Sequence, residues 1–390
     1  MCGYPVSKVL RILRGGLRED MPDVVPPIHV SVPYRFVGVK TAPLYEVKYS
    51  RENNPTTMLL EEALRVAEGA GWCLAFNTGM AAITAVLEAL VGSEGRGGII
   101  VASKLLYGTT RSLLDRFAAR GARVVYAGPP WSELLDVVEK TKPDVVVLET
   151  IGNPTLRVPP VDEVDKLCGR VGCTLVVDNT FASPVLYRPL PVSQSNMVVV
   201  ESVTKYIGGH NDVMGGVVCG RDVELHAEVW EVRKTYGSIM QPFDAFLAAR
   251  GLKTLHVRVE YSSRAAQYIA ERLQEDSRIE KVYYPGLSSH EDHETAKRMF
   301  PGLYGAVLSF DVGDETAAKR LLARLQLVVP SPSLGGVESI IAYPFESSHR
   351  GLGEDEKKKL GITRGLLRLS VGLEEPNDIL GDILHALDAA

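Results

Sequence analysis

The sequence has no apolar run approaching the roughly 18 residues that a membrane-crossing helix needs. Cysteine is scarce: Cys2, Cys73, Cys168, Cys173 and Cys219 form no CxxC pair and no even set. That spacing signals neither a zinc ribbon nor a disulfide framework. Eight histidines are scattered, and SHEDHETA (289–296) carries Glu294 where HExxH requires its second histidine. No metal site is expected, and this segment reads as the exposed start of a helix. No GxxxxGK[ST] loop occurs, which removes the common ATPase reading. GSEGRGG (92–98) precedes a strand instead of following one, so it is no dinucleotide fingerprint. Excess positive charge is also lacking. Lys and Arg total 43 against 48 Asp and Glu, a net −5, which argues against nucleic-acid or membrane-surface partners. Glutamine occurs only five times, a hint of thermal adaptation. MCGYPVSKVLRILRGG has basic residues but no continuous apolar leader, so a cytoplasmic protein is expected.

What is present suggests two or three domains in 390 residues. Residues 1–58 are irregular and proline-rich (PDVVPPIHVSVPY, TAPLYEVKYSRENNPT), and an arm of this kind usually lies on a neighbouring subunit. From Thr57 a helical pattern runs through Leu59, Leu60, Ala63, Leu64 and Ala67 to Gly69. Within 59–243 the runs GIIVAS, ARVVYA, DVVVLET, TLVVDNT and MVVVES are apolar on both faces and alternate with amphipathic helical segments. Strands of a covered parallel sheet have that pattern, so an α/β layered domain is expected. Residues 244–390 open with one long helical pattern over 244–275. KVYYPG, GAVLSFDV, LVVPSP and LLRLSVGLE then predict a smaller α+β domain with an antiparallel sheet. The run EDEKKKL (354–360) reads as a solvated helix face.

The chemistry gathers at strand ends. In VVVESVTKYIGG (198–209) a buried strand ends on Ser202 and Thr204 with Lys205 beside them. Lysine is costly to desolvate, so a lysine past a strand end is ordinarily solvated. Here Asp178 ends TLVVD and Asn153 follows VVVLETIG, at the edge where open α/β sheets bind ligands. NTGMAAITAVLEAL (77–90) places Gly79 and Met80 at a helix start, where free N–H groups receive phosphate. An amine, a strand-end carboxylate, two hydroxyls and a phosphate-binding helix start are what pyridoxal 5'-phosphate requires. The lysine forms a Schiff base with the aldehyde, and the aspartate faces the pyridine nitrogen.

YSRENNPT, NTGMAAI, LYGTT, NPT (153–155), VVDNTFASP, SVTKYIGGH, QPFDAFLAARGLKTL, SLGGVES and RLSVGLE extend this over about Pro26 to Glu374. In combination they resemble the Cys/Met-metabolism (trans-sulfuration) family of pyridoxal-phosphate enzymes. That family includes cystathionine γ-synthase, cystathionine and methionine γ-lyases, and O-acylhomoserine sulfhydrylases. The resemblance implies a fold-type-I, aspartate-aminotransferase-like architecture and a homotetramer built as a dimer of dimers with shared sites. It implies Lys205 as Schiff-base lysine and proton shuttle, and Asp178 opposite the pyridine nitrogen. Gly79, Met80, Ser202 and Thr204 would hold the phosphate. Tyr49 and Arg51 would reach a neighbour's phosphate. Tyr107 would stack on the ring and act as a nearby acid or base. Arg368, with Asn153 and Ser333, would pair with the substrate α-carboxylate.

Departures from the family pattern fall on Glu201 (histidine is usual), Asn211 (serine), and Thr109 and Arg111 in LYGTTR. SLGGVES resembles the cystathionine-handling members, while Lys48 stands where those members often carry an acid. The resulting expectation is γ-elimination from L-cystathionine. Glu338 would meet the distal ammonium and Lys48 or Arg111 the distal carboxylate. γ-Synthase, sulfhydrylase and methionine γ-lyase activities are the alternatives, and a non-enzymatic α/β binding protein is the alternative of another class.

Overall fold

The computed structural model describes residues 3–15, 23–34, 47–92, 98–300, 302–347, 351 and 353–388. Cys2 and the TAPLYE part of the arm lie outside them. Seven strands form the larger sheet: β1 (Trp72–Phe76), β2 (Ile99–Ser103), β3 (Arg123–Ala127), β4 (Val145–Glu149), β5 (Thr174–Asp178), β6 (Asn196–Glu201) and β7 (Gly216–Gly220). Their order is β1-β7-β6-β5-β4-β2-β3. β7 runs antiparallel to both neighbours, and the pairs among β2 to β6 are parallel. Alternate residues feed two separate cores, Val146 and Leu148 on one face, Val145 and Val147 on the other. Helices cover both faces, and the apolar runs follow from that.

β1 (WCLAF) and β7 (GVVCG) add to the five strands expected from sequence. β1 has no β-branched residue and β7 has glycine at both ends, so neither stands out in the sequence as the other five do. Their pairing also corrects the cysteine expectation. Cys73 and Cys219 are register partners and form a disulfide across a separation of 146 residues. Cys168 and Cys173 form a second, closing the end of the helix Val161–Val171. Spacing along the chain could not reveal a bond made by strand register.

The arm, expected to be irregular, begins with a helix, Val6–Gly15, whose Val9 and Leu13 join the core of the helix Pro55–Glu68. That second helix has complete signals: the Asn54 side chain accepts from Thr56 N–H, Pro55 opens it, and Gly69 closes it at φ 68°. The pattern over 244–275 is two helices, Pro242–Leu252 and Leu255–Gln274. The first must bring Gly251 against the backbone of Gly208, where an added Cβ would lie 2.2 Å from the Gly208 carbonyl oxygen.

The smaller sheet contains β8 (Lys281–Tyr283), β9 (Val307–Asp311), β10 (Val329–Pro330), β11 (Ile340–Ala342) and β12 (Leu366–Ser370). The order is β10-β11-β12-β9-β8, antiparallel except for β10 with β11. The SHEDHETA segment does start a helix, at His293, but it is only partly exposed. His290 and Asp292 are buried, and the Asp292 carboxylate accepts from Arg157 Nε (2.6 Å), Trp131 Nε1 (3.0 Å) and Val158 N (2.9 Å). Burial there joins this region to the larger sheet's loops. EDEKKKL is helical over Glu354–Lys359, but Lys357 is buried, donating to the Phe345 carbonyl. No helix among the described residues is long and apolar enough to cross a membrane.

Candidate active site

Lys205 follows β6 on a turn that the helix Leu255–Gln274 holds from behind. Arg258, buried in that helix, donates to the carbonyls of Tyr206 (2.8 Å) and Gly251 (2.7 Å). Gly209, at φ 72°, leaves the space the Arg258 guanidinium fills. The Lys205 ammonium donates to Ser333 Oγ at 2.6 Å. Burial, with the Arg368 guanidinium nearby, pushes its pKa down to about 8. A lysine so placed loses its proton far more readily than a solvated one, as a carbonyl-attacking amine must.

β12 places Arg368 on the same site. It is buried, donates through Nη1 to Asn153 Oδ1 and through Nη2 to the Ser333 carbonyl, both at 2.8 Å. Its Nε is buried without a partner, and burial lowers its pKa to about 10. A guanidinium held on two sides with an unused donor is a receptor for a carboxylate. Lys205, Ser333, Asn153 and Arg368 therefore converge, although they lie on four separate segments.

Asp178 ends β5, and its Oδ1 accepts from Thr180 N–H at 3.0 Å. Burial raises its pKa; a protonated pyridine nitrogen placed against it would reverse that shift. Sequence reasoning missed its neighbour Glu149, the register partner of Asp178 at the end of β4. Glu149 Oε1 accepts from Tyr107 N–H at 2.5 Å, Oε2 is buried without a partner, and burial with the Asp178 charge raises its pKa well above normal. An acid closing a strand beside Asp178 was the available signal. Tyr107 caps the helix Gly108–Ala119 with its ring half exposed, at the mouth of the site.

The helix Gly79–Val91 starts against Ser202: a Cβ on Gly79 would lie 3.1 Å from the Ser202 Cβ. Gly79 and Met80 thus offer first-turn N–H groups beside the Ser202 hydroxyl. Thr204 is differently engaged, its hydroxyl accepting from Gly215 N at 3.0 Å and lying 3.3 Å from the Gly215 carbonyl. Tyr49 and Arg51 do not join this cluster within the chain. Both are exposed, Arg51 donates to the Lys234 carbonyl at 3.2 Å, and its guanidinium lies 5.6 Å from the Tyr49 ring centre.

The specificity residues are rearranged relative to expectation. Arg111 is not free for a distal carboxylate: it pairs with Glu356 at 2.5 Å and donates to the Lys104 carbonyl at 3.2 Å. Lys48 is exposed. Glu338 accepts from Asn211 Nδ2 at 2.7 Å, joining two positions singled out separately in the sequence. Among the described residues no His, Cys, Asp or Glu group could hold a metal ion.

A strand-end amine, a buried strand-end carboxylate, a helix start with free N–H groups and a guanidinium with an unused donor fit pyridoxal 5'-phosphate with an α-amino acid. Comparison with known proteins agrees. Residues 11–388 match the family model for Cys/Met metabolism PLP-dependent enzymes. A cystathionine γ-lyase of Dictyostelium discoideum is 39% identical over 347 residues, covering 88% of this chain and 87% of the relative. A cystathionine β-lyase of Lactococcus lactis subsp. cremoris (strain MG1363) is 36% identical, covering 97% and 98%. The solved cystathionine γ-synthase of Xanthomonas oryzae pv. oryzae, in complex with aminoacrylate and cysteine, superposes with a TM-score of 0.91 at 36% identity, covering 98% of each chain. The chain belongs to the Cys/Met metabolism family of pyridoxal-phosphate-dependent enzymes and has its fold-type-I architecture. It is a trans-sulfuration enzyme acting on a small amino-acid substrate.

Proposed function

We propose that this enzyme cleaves L-cystathionine by γ-elimination, with water yielding L-cysteine, 2-oxobutyrate and ammonia. The observation that carries the reading is the Lys205–Ser333–Arg368–Asn153 constellation, with Glu338 farther along the Ser333 loop. Arg368 takes the substrate α-carboxylate through its free Nε, which turns the α-carbon toward Lys205. Pyridoxal phosphate, when bound, supplies an electron sink at that carbon. Asp178 would face its ring nitrogen and favour that nitrogen's protonation, and Tyr107 would lie beside the ring. Lys205 Nζ, with its lowered pKa, would take the proton from the α-carbon, deliver that proton back to the bound substrate–cofactor pair, and as the free amine again take one from the β-carbon. The Tyr107 hydroxyl donates a proton to the departing sulfur.

Glu338 supports cystathionine because this substrate's leaving half carries its own ammonium. γ-Replacement by a synthase or sulfhydrylase uses the same residues and diverges only after the γ-substituent has left, when a thiol adds in place of water. The shared-site reading, with a tetramer implied by the family resemblance, is supported by the exposure of Tyr49 and Arg51, which lie outside this chain's own cluster. An acidic net charge and an amino-acid substrate fit a cytoplasmic enzyme.

A product assay against L-cystathionine, O-acylhomoserines, L-homocysteine and L-methionine tests the reading. Release of 2-oxobutyrate and cysteine from cystathionine at the highest kcat/KM is expected. Pyruvate with homocysteine would mark β-elimination instead. Glu338→Gln should lower kcat/KM for cystathionine roughly tenfold to a hundredfold, the value of one charge-assisted contact, while sparing homocysteine.

A further inference from the structure

Two chain segments run side by side at the edge of the site. Lys205 to Asn211 leaves β6, and Ser333 to Glu338 approaches β11. One end of the pair is the Lys205–Ser333 hydrogen bond, 2.6 Å; the other is the Asn211–Glu338 hydrogen bond, 2.7 Å. Close backbone contact fills the space between, since a Cβ on Gly335 would lie 2.8 Å from Tyr206 N and 3.1 Å from the Lys205 carbonyl carbon.

The Asn211 end is constructed for that contact. Asn211 has φ 57°, the left-handed conformation that asparagine accepts and serine accepts less readily. Gly336 leaves room for its amide, because a Cβ there would lie 2.3 Å from Asn211 Nδ2. The Glu338 backbone is already fixed. Leu373 N donates to the Val337 carbonyl at 2.8 Å, and Ser339 N donates to Glu374 at 2.7 Å. What remains free to rotate is the Glu338 side chain, which is exposed and which the Asn211 amide captures through Oε2. Oε1 is left for another donor.

We propose that Asn211 is a positioning residue for substrate selection: it holds the Glu338 carboxylate so that its second oxygen meets an ammonium at the far end of a diamino substrate. The inference rests on the cystathionine reading above and extends it. A side chain fixed before binding loses no rotamer freedom when the substrate arrives, which corresponds to roughly a threefold to tenfold gain in affinity. The gain applies only to substrates long enough, and cationic enough, to reach Glu338.

The test uses the holoenzyme with L-cystathionine and L-homocysteine, which share the reacting half and differ in the distal ammonium. Asn211→Gly keeps the left-handed backbone and removes the amide. Asn211→Asp keeps the shape and turns the donor into a repelling carboxylate. Asn211→Gly should lower kcat/KM for cystathionine roughly threefold to tenfold through KM and leave homocysteine unchanged. Asn211→Asp should lower it further. In a Glu338→Gln background Asn211→Gly should add nothing. Dissociation constants for cystathionine in a Lys205→Ala background, where turnover is absent, should follow the same order. Equal losses on both substrates, or additive losses in the double variant, overturn the inference and make Asn211 a backbone residue. If wild type discriminates by Glu338 and Asn211→Gly has no effect, only this inference falls. If Glu338→Gln itself changes nothing, the substrate reading fails and the inference with it.

Discussion

Glu201 stands one residue before Ser202, where sequences resembling this one usually carry histidine. It is buried, accepts from Asn179 Nδ2 at 3.0 Å, and meets a second buried acid, Glu68. Asn179 follows Asp178 and is itself held by Thr150, so these acids lie behind the strand end that carries Asp178. Burial pushes Glu68 up to about 7 and Glu201 well above its ordinary range, each acid being disfavoured as an anion by desolvation. Arg188 opposes the shift at Glu68, and Tyr4 sits near both acids. The folded pKa of Glu68 exceeds the ordinary value of 4.5, so folding takes up a proton. The stability this contributes is full below that value and is lost as pH rises through about 7. Glu68→Gln stays neutral throughout. Its melting temperature should therefore fall less than that of wild type between about pH 5 and 8. Parallel melting curves for the two proteins across that range would show that Glu68 titrates normally.

At the scale of elements, the edge pair β1–β7 connects the disulfide to the helix start at Gly79, the proposed phosphate site. β1 runs from Trp72 to Phe76 and delivers Thr78 and Gly79, the start of the helix proposed to receive the phosphate. β7 begins at Gly216, where a Cβ would lie 2.3 Å from the Thr78 carbonyl oxygen and 2.6 Å from the Gly79 Cα. Those contacts are with backbone, which cannot rotate aside. Gly216→Ala should displace the helix start at a cost of about 1–3 kcal/mol, and the loss should show as weaker pyridoxal-phosphate affinity in an equilibrium titration of apoenzyme. Unchanged cofactor affinity with a lowered melting temperature would confine the effect to stability. The Cys73–Cys219 bond binds the two strands three residues from this contact. By closing a long loop it also restrains the unfolded chain.

For the whole molecule, the decisive question is what Tyr49 and Arg51 reach. Within the chain they touch Lys234 and each other. Exposed apolar groups nearby in sequence to Lys234, among them Tyr236 and Phe243, suit burial against another subunit. If the arm completes a neighbour's phosphate site, Arg51→Ala and Lys205→Ala chains are each inactive alone. A mixed dimer then retains one intact site. Random mixing should restore roughly a quarter of wild-type activity, since half the dimers are mixed and half their sites are whole. No recovery after verified subunit exchange would place Arg51 and Lys205 in the same site of one chain.

The sequence by itself determined the layered α/β architecture and the cofactor, and it singled out Lys205, Asn153, Ser333 and Arg368, which the structure brings together. Those signals are local: apolar runs of strand length, a helix start at Gly79, and Lys205, Asp178 and Asn153 each placed at a strand end. Parallel sheets bring strand ends to one edge whatever the connecting segments contain, so position along the chain sufficed. Tertiary structure alone decided the remainder. The Cys73–Cys219 bond depends on strand register, and Glu149 acquires its meaning only as the register partner of Asp178. Asn211 with Glu338, and Arg111 with Glu356, are pairs 127 and 245 residues apart. Alone, Glu338 and Arg111 looked like free substrate contacts, Asn211 like a departure from pattern, and Glu356 like part of a solvated helix face. The tertiary fold turned them into partners, because a pair interaction depends on distance in space, and local sequence carries no measure of it.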